Sequence, residues 1–214
     1  MNSAASWNWP VLFLLGAYHG LNPGMGWLFA VARGMQEKSA RAVGQSLAPI
    51  ALGHASAIGV VVLLASLVRI LLPLRYVKIA VAGALLILGV YRLVRSRHFR
   101  WGGMQVGFRE LTLWSFLMAS AHGAGLMVLP IYLSLSAVGI SPHSHPWHGN
   151  SLPEPVAGLW ATLVHTLGYF TVMAAIALIV YQKLGLALLR KAWLNLDLVW
   201  AAALITTGCV ALVV

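Results

Sequence analysis

The stretch Leu47–Leu67 reads LAPIALGHASAIGVVVLLASL, 21 residues with no charged side chain and one ionisable group, His54, near its middle. About 20 apolar residues in a helix cross the hydrocarbon core of a bilayer, so this segment predicts a transmembrane helix. Five more apolar runs, each bounded by charge or proline, lie on either side: Pro10–Val31, Val77–Leu93, Leu111–Val138, Val156–Tyr181 and Ala192–Val214. Six spans use most of the 214 residues and leave only short loops. Composition agrees. Hydrophobic residues make up 60% of the chain and charged ones 8%, against about 25% charged in a soluble domain. The expected class is an all-α integral membrane protein. The opening residues MNSAASWNWP lack the basic stretch of a cleaved signal peptide, so the first run is expected to be kept as a span.

The net charge of +10 invites a nucleic-acid reading, but its placement points elsewhere. Eleven of the 14 Lys and Arg residues fall in alternate loops: Arg33, Lys38 and Arg41; Arg92, Arg95, Arg97, Arg100 and Arg109; Lys183, Arg190 and Lys191. Only Arg69, Arg75 and Lys78 fall on the other side. Basic residues gather on the cytoplasmic side of membrane proteins, which predicts that both termini are extracytoplasmic. The expected partners of the basic surface are bilayer headgroups, not nucleic acid. Trp7, Trp9, Trp101, Trp114, Trp160 and Trp193 fall near span ends, where interfacial anchors sit.

The chain also reads as two related halves. The first span carries His19-Gly-Leu-Asn-Pro-Gly-Met25 and the fourth carries His122-Gly-Ala-Gly-Leu-Met127. The second and fifth spans each have a central histidine, His54 and His165. Aligning Gly89 of the third span with Gly208 of the sixth sets Lys78 against Asp197. Three spans per half is an odd number, so the second half enters the membrane upside down. The expectation is two inverted three-helix repeats, residues 1–100 and 101–214, forming one membrane domain. In secondary transporters built this way the site lies near the midplane between the repeats.

Ionisable residues inside spans are costly and face a bundle interior or a water-filled cavity. A single buried histidine serves equally well as a hydrogen bond between helices. Four at matching places favour a shared site, so His19, His54, His122 and His165 are the candidate ligands. Asn22 lies three residues after His19, and Pro23 among Gly20, Gly24 and Gly26 is expected to break the helix. Imidazole suits zinc, copper, iron and nickel, and thioether sulfur suits copper(I). Met25, Met118 and Met127 are therefore candidates to tune the path, although methionine also fills gaps in packing. Asp197, the one acidic residue inside a span, suits either a helix N-terminus or a cation. His143, His145 and His148 lie in an outer loop free of Lys and Arg and could capture metal there. The lone Cys209 excludes an intrachain disulfide. No nucleophile–base arrangement or phosphate loop is visible, so no enzyme is expected.

At these residues the chain resembles the bacterial nickel/cobalt transporter families of the lysine-exporter-like superfamily. Their first-helix motif, HGFDADH, aligns with His19-Gly-Leu-Asn-Pro-Gly-Met25, matching at His19 and Gly20, with Gly24 and Met25 in place of Asp-His. Their LGHSTVV is close to Leu52-Gly-His54-Ala-Ser-Ala-Ile58. The resemblance implies a multi-pass protein of the bacterial inner membrane that moves a transition-metal ion by alternating access. The His/Met set leans toward a softer ion such as copper. Alternatives from other classes are an exporter of a small organic or anionic solute and a haem-binding membrane protein with paired histidine ligands. A second copy of the chain is a further candidate partner.

Overall fold

The computed structural model describes residues 3–94, 107–137, 154–184 and 196–213. Among them are eight α-helices and no strand. In chain order these are α1 (Ser3–Leu21), α2 (Trp27–Gln36), α3 (Ala40–Leu71), α4 (Leu74–Val94), α5 (Phe108–Ala121), α6 (Ala124–Ala137), α7 (Glu154–Ile179) and α8 (Leu196–Val213).

Three helices are long and apolar enough to cross a membrane: Ala40–Leu71, Leu74–Tyr91 and Val156–Lys183. A fourth span results if the pair Phe108–Ala121 and Ala124–Leu135, bent by 65°, counts as one. Six runs are expected, and three differ in physical detail, the run Leu111–Val138 being divided into α5 and α6. The run Pro10–Val31 is not one helix, because α1 stops at Leu21 and α2 starts at Trp27. The last run holds a shorter apolar helix, Ala201–Leu212. The outward surface is itself apolar, with Leu63, Ile79, Ile87, Leu113, Leu159 and Leu212 all more than half exposed. A coat of this kind on a helical protein marks a surface meant for another apolar phase.

Buried backbone and hydroxyl groups have no water to bond in such a setting. The hydroxyls of Ser46, Ser56, Ser66, Thr112, Thr162, Thr171 and Thr207 accordingly each donate to the carbonyl four residues earlier.

Two breaks shape the centre. At the first, Pro23 ends α1, and a 3₁₀ turn over Pro23–Met25 follows. The Asn22 side chain accepts the Gly24 N–H at 2.9 Å, which is an Asx turn, and Gly26 takes φ +134°. At the second, α5 ends on His122 and Gly123 takes φ +73°. Both glycines adopt backbone geometry that a Cβ makes costly.

The principal contacts are α1 with α7, α3 with α5, α3 with α7, and α4 with α8. Glycine makes the first two close. A Cβ on Gly16 of α1 would sit 1.9 Å from the His165 carbonyl oxygen, and one on Gly168 of α7 would sit 2.1 Å from that of Phe13. On Gly53 of α3 a Cβ would sit 2.1 Å from the Thr112 carbonyl oxygen. Small residues give helices this approach where no aqueous hydrophobic effect drives them together.

Candidate functional site

His19, His54 and His165 come from α1, α3 and α7 and are fully buried. Their rings form a triangle. Ring centroids are 4.9 Å apart for His19 and His165, and 5.6 Å apart for both His19–His54 and His54–His165. The glycine contacts at Gly16 and Gly168 bring α1 and α7 close enough for the first of these.

The three rings are held differently. His19 Nδ1 lies 2.8 Å from the Leu15 carbonyl. A carbonyl only accepts, so Nδ1 carries the proton and the neutral ring has its lone pair on Nε2. Metal-binding histidines are oriented in this way by a partner on the other nitrogen. Both ring nitrogens of His54 and of His165 are buried without a protein hydrogen-bond partner. The Leu12 carbonyl faces His165 without completing a bond. Each unsatisfied buried polar group costs about 1–3 kcal/mol, and such groups call for an explanation beyond packing.

Imidazoles sharing one metal ion at about 2.1 Å from each nitrogen place their centroids about 5 Å apart. The triangle has that size. Its orientation is different: among the described residues no three His, Cys, Asp or Glu side chains converge as a ready-made metal site. The His54 and His165 planes are parallel within 9°, so ring rotation must precede joint ligation.

Tyr169 closes one side. Its ring stacks on His54 at 3.9 Å and 12°, and its hydroxyl donates to the Met25 carbonyl in the helix break. Ser115, beside that hydroxyl, donates to the Ile50 carbonyl at 2.7 Å. These two residues tie α7 and α5 to the break and to α3. Tyr169 follows His165 by one turn and could be noted from spacing. Ser115 carries only a weak sequence signal: it precedes His122 by seven residues, on the same helix face. Tyr169→Phe keeps the stack and removes the hydroxyl. It is expected to lower stability in detergent unfolding by about 1–2 kcal/mol and to leave metal binding intact.

His122 does not join the triangle of ring contacts. It is buried at the end of α5 and lies within electrostatic reach of His19. Its Nδ1 bonds the Met118 carbonyl at 2.8 Å. The adjoining turn packs on Leu88 of α4 and Leu204 of α8. Met118 thus meets His122 through its backbone carbonyl.

Asn22 is expected beside His19, three residues on, just before the break at Pro23. The helix does end there, at Leu21, and the Asn22 side chain accepts the Gly24 N–H and does not face the triangle. Met25 and Met127 are buried. Asp197 is the second residue of α8, a position that suits the helix dipole. His143, His145 and His148 lie outside the described residues.

The fold and site define an all-helical protein, with three to four helices able to cross a membrane, that buries a histidine triangle among α1, α3 and α7. No family model, curated protein or solved structure matches the chain.

Proposed function

We propose that this protein is a membrane transporter for a transition-metal ion, working by alternating access between two inverted three-helix halves, 1–100 and 101–214. The observation that carries the reading is the triangle of His19, His54 and His165, with the last two left without protein partners in an apolar interior. Hydrogen bonds between helices would have supplied those partners, so helix adhesion does not account for them. A ligand does.

Packing supports the repeat. Exchanging α1 with α5 and α3 with α7 turns the α1–α7 contact into the α5–α3 contact, both of which are extensive. The contacts α3–α7 and α4–α8 map onto themselves. His19 and His122 correspond, and each bonds the carbonyl four residues back at 2.8 Å just before a helix break. In this reading the broken helices α1/α2 and α5/α6 each form one span, which gives six. Breaks of this kind line substrate paths in transporters.

A haem between two histidines would need them on opposite faces of the macrocycle, and three rings in mutual contact leave no such gap. The purified chain is expected to bind about one transition-metal ion, held by deprotonated imidazole nitrogens, and to show no Soret band. Elemental analysis and an absorption spectrum check both. A stoichiometric haem spectrum would replace the reading.

Topology follows from the charge distribution: a reporter fused at Val214 is expected to be active only outside the cytoplasm, and cytoplasmic activity would overturn the orientation. Replacing His143, His145 and His148 together with Ala is expected to raise the apparent KM a few-fold and leave maximal flux nearly unchanged, since such tracts bind metal weakly. Complete loss of flux in a well-expressed variant would put that loop in the core site.

A further inference from the structure

We infer that the ion this site takes is monovalent copper(I), rather than divalent nickel, cobalt or zinc. The inference rests on the transport reading above and concerns the charge the site can accept. The whole chain has four acidic residues, Glu37, Glu110, Glu154 and Asp197. Glu37 is exposed and paired with Arg33 at 2.7 Å, and Glu110 is exposed in the first turn of α5. Glu154 opens α7, eleven residues before His165, which is about 16 Å along a helix axis. Asp197 is on α8, whose principal contacts are with α4 and α6, not with the helices of the triangle. Cys209 is exposed on α8. Among the described side chains no carboxylate or thiolate is placed to meet the histidines.

Among the described side chains, an ion entering the triangle meets neutral donors. The cost of moving an ion out of water rises with the square of its charge, so a divalent ion is penalised about four times as heavily as a monovalent one of equal size. With no negative side chain to offset that charge, a divalent ion must bring hydroxide or another anion with it. A monovalent ion need not. Three imidazoles from three helices match the three-coordinate geometry that copper(I) adopts readily. The stack of Tyr169 on His54, and Tyr169's bond to the Met25 carbonyl, crowd one side of the triangle, where a further ligand would have to enter. Copper suits imidazole, and copper(I) suits thioether, so a nearby methionine would reinforce the choice.

The test uses the full-length protein in detergent under anaerobic, reducing conditions. Copper(I) is titrated against a chromophoric copper(I) chelator, with silver(I) as a redox-inert probe, and nickel(II), cobalt(II) and zinc(II) are titrated separately. The expected result is binding of copper(I) and silver(I) tighter than the divalent ions by about two orders of magnitude or more, lost in both His54→Gln and His165→Leu. Size-exclusion profiles of the variants guard against misfolding. If nickel(II), cobalt(II) or zinc(II) binds most tightly and binding still requires His54 and His165, the copper(I) assignment is overturned and the metal-transport reading survives. If no ion of either charge binds in a histidine-dependent way, both fall together.

Discussion

His165→Leu is expected to abolish metal binding and, in the metal-free protein, to leave stability unchanged or raise it by about 1 kcal/mol. The two outcomes come from one fact. His165 holds two ring nitrogens in the interior with no protein partner, so the folded protein carries their desolvation cost. Replacing an unsatisfied buried polar group by an apolar one of similar size removes that cost. A histidine kept for structure behaves oppositely, because its loss strands a partner. His54→Leu is expected to gain less, because it gives up the stack on Tyr169 at 3.9 Å. Unfolding in detergent, with and without added metal, separates the cases. A His165→Leu protein that is destabilised by 2 kcal/mol or more without metal would return the triangle to helix packing.

The second large effect lies at the glycines. Gly16→Val and Gly168→Val are each expected to cost more than about 3 kcal/mol and to prevent accumulation of folded protein. At both positions the new Cβ would lie within 2.1 Å of a backbone carbonyl oxygen of the facing helix, and backbone cannot swing aside as a side chain can. Any relief separates α1 from α7 and widens the 4.9 Å contact between His19 and His165. Gly59→Val makes the control, since nothing lies within 4 Å of a Cβ there. Equal yields of all three variants, judged by size exclusion, would show that the α1–α7 contact is not close.

Part of this architecture is legible in the residues themselves. His54 stands out because it is the one ionisable group in an uncharged 21-residue run. The break after His19 is legible because Asn22-Pro-Gly combines an Asx turn with a residue that lacks an N–H. The break at Gly123 is not. No proline marks it, and Gly53 and Gly168 stay inside continuous helices, so a glycine in an apolar run does not declare which role it takes. His122 looks equivalent to His19 in sequence, yet the triangle of close ring contacts is made by His19, His54 and His165. Which histidines touch depends on how the helices cross. The bond from Tyr169 to the Met25 carbonyl joins residues 144 positions apart, and no local pattern announces it.

The most direct test of the account is metal flux through the purified protein in liposomes that hold a metal-responsive dye. Wild-type protein and the His54→Leu/His165→Leu double variant are compared at equal, verified incorporation. Saturable metal entry is expected with wild type and only background leakage with the double variant. Equal flux through both proteins, or no flux of any transition-metal ion through well-folded wild type in either orientation, would contradict it.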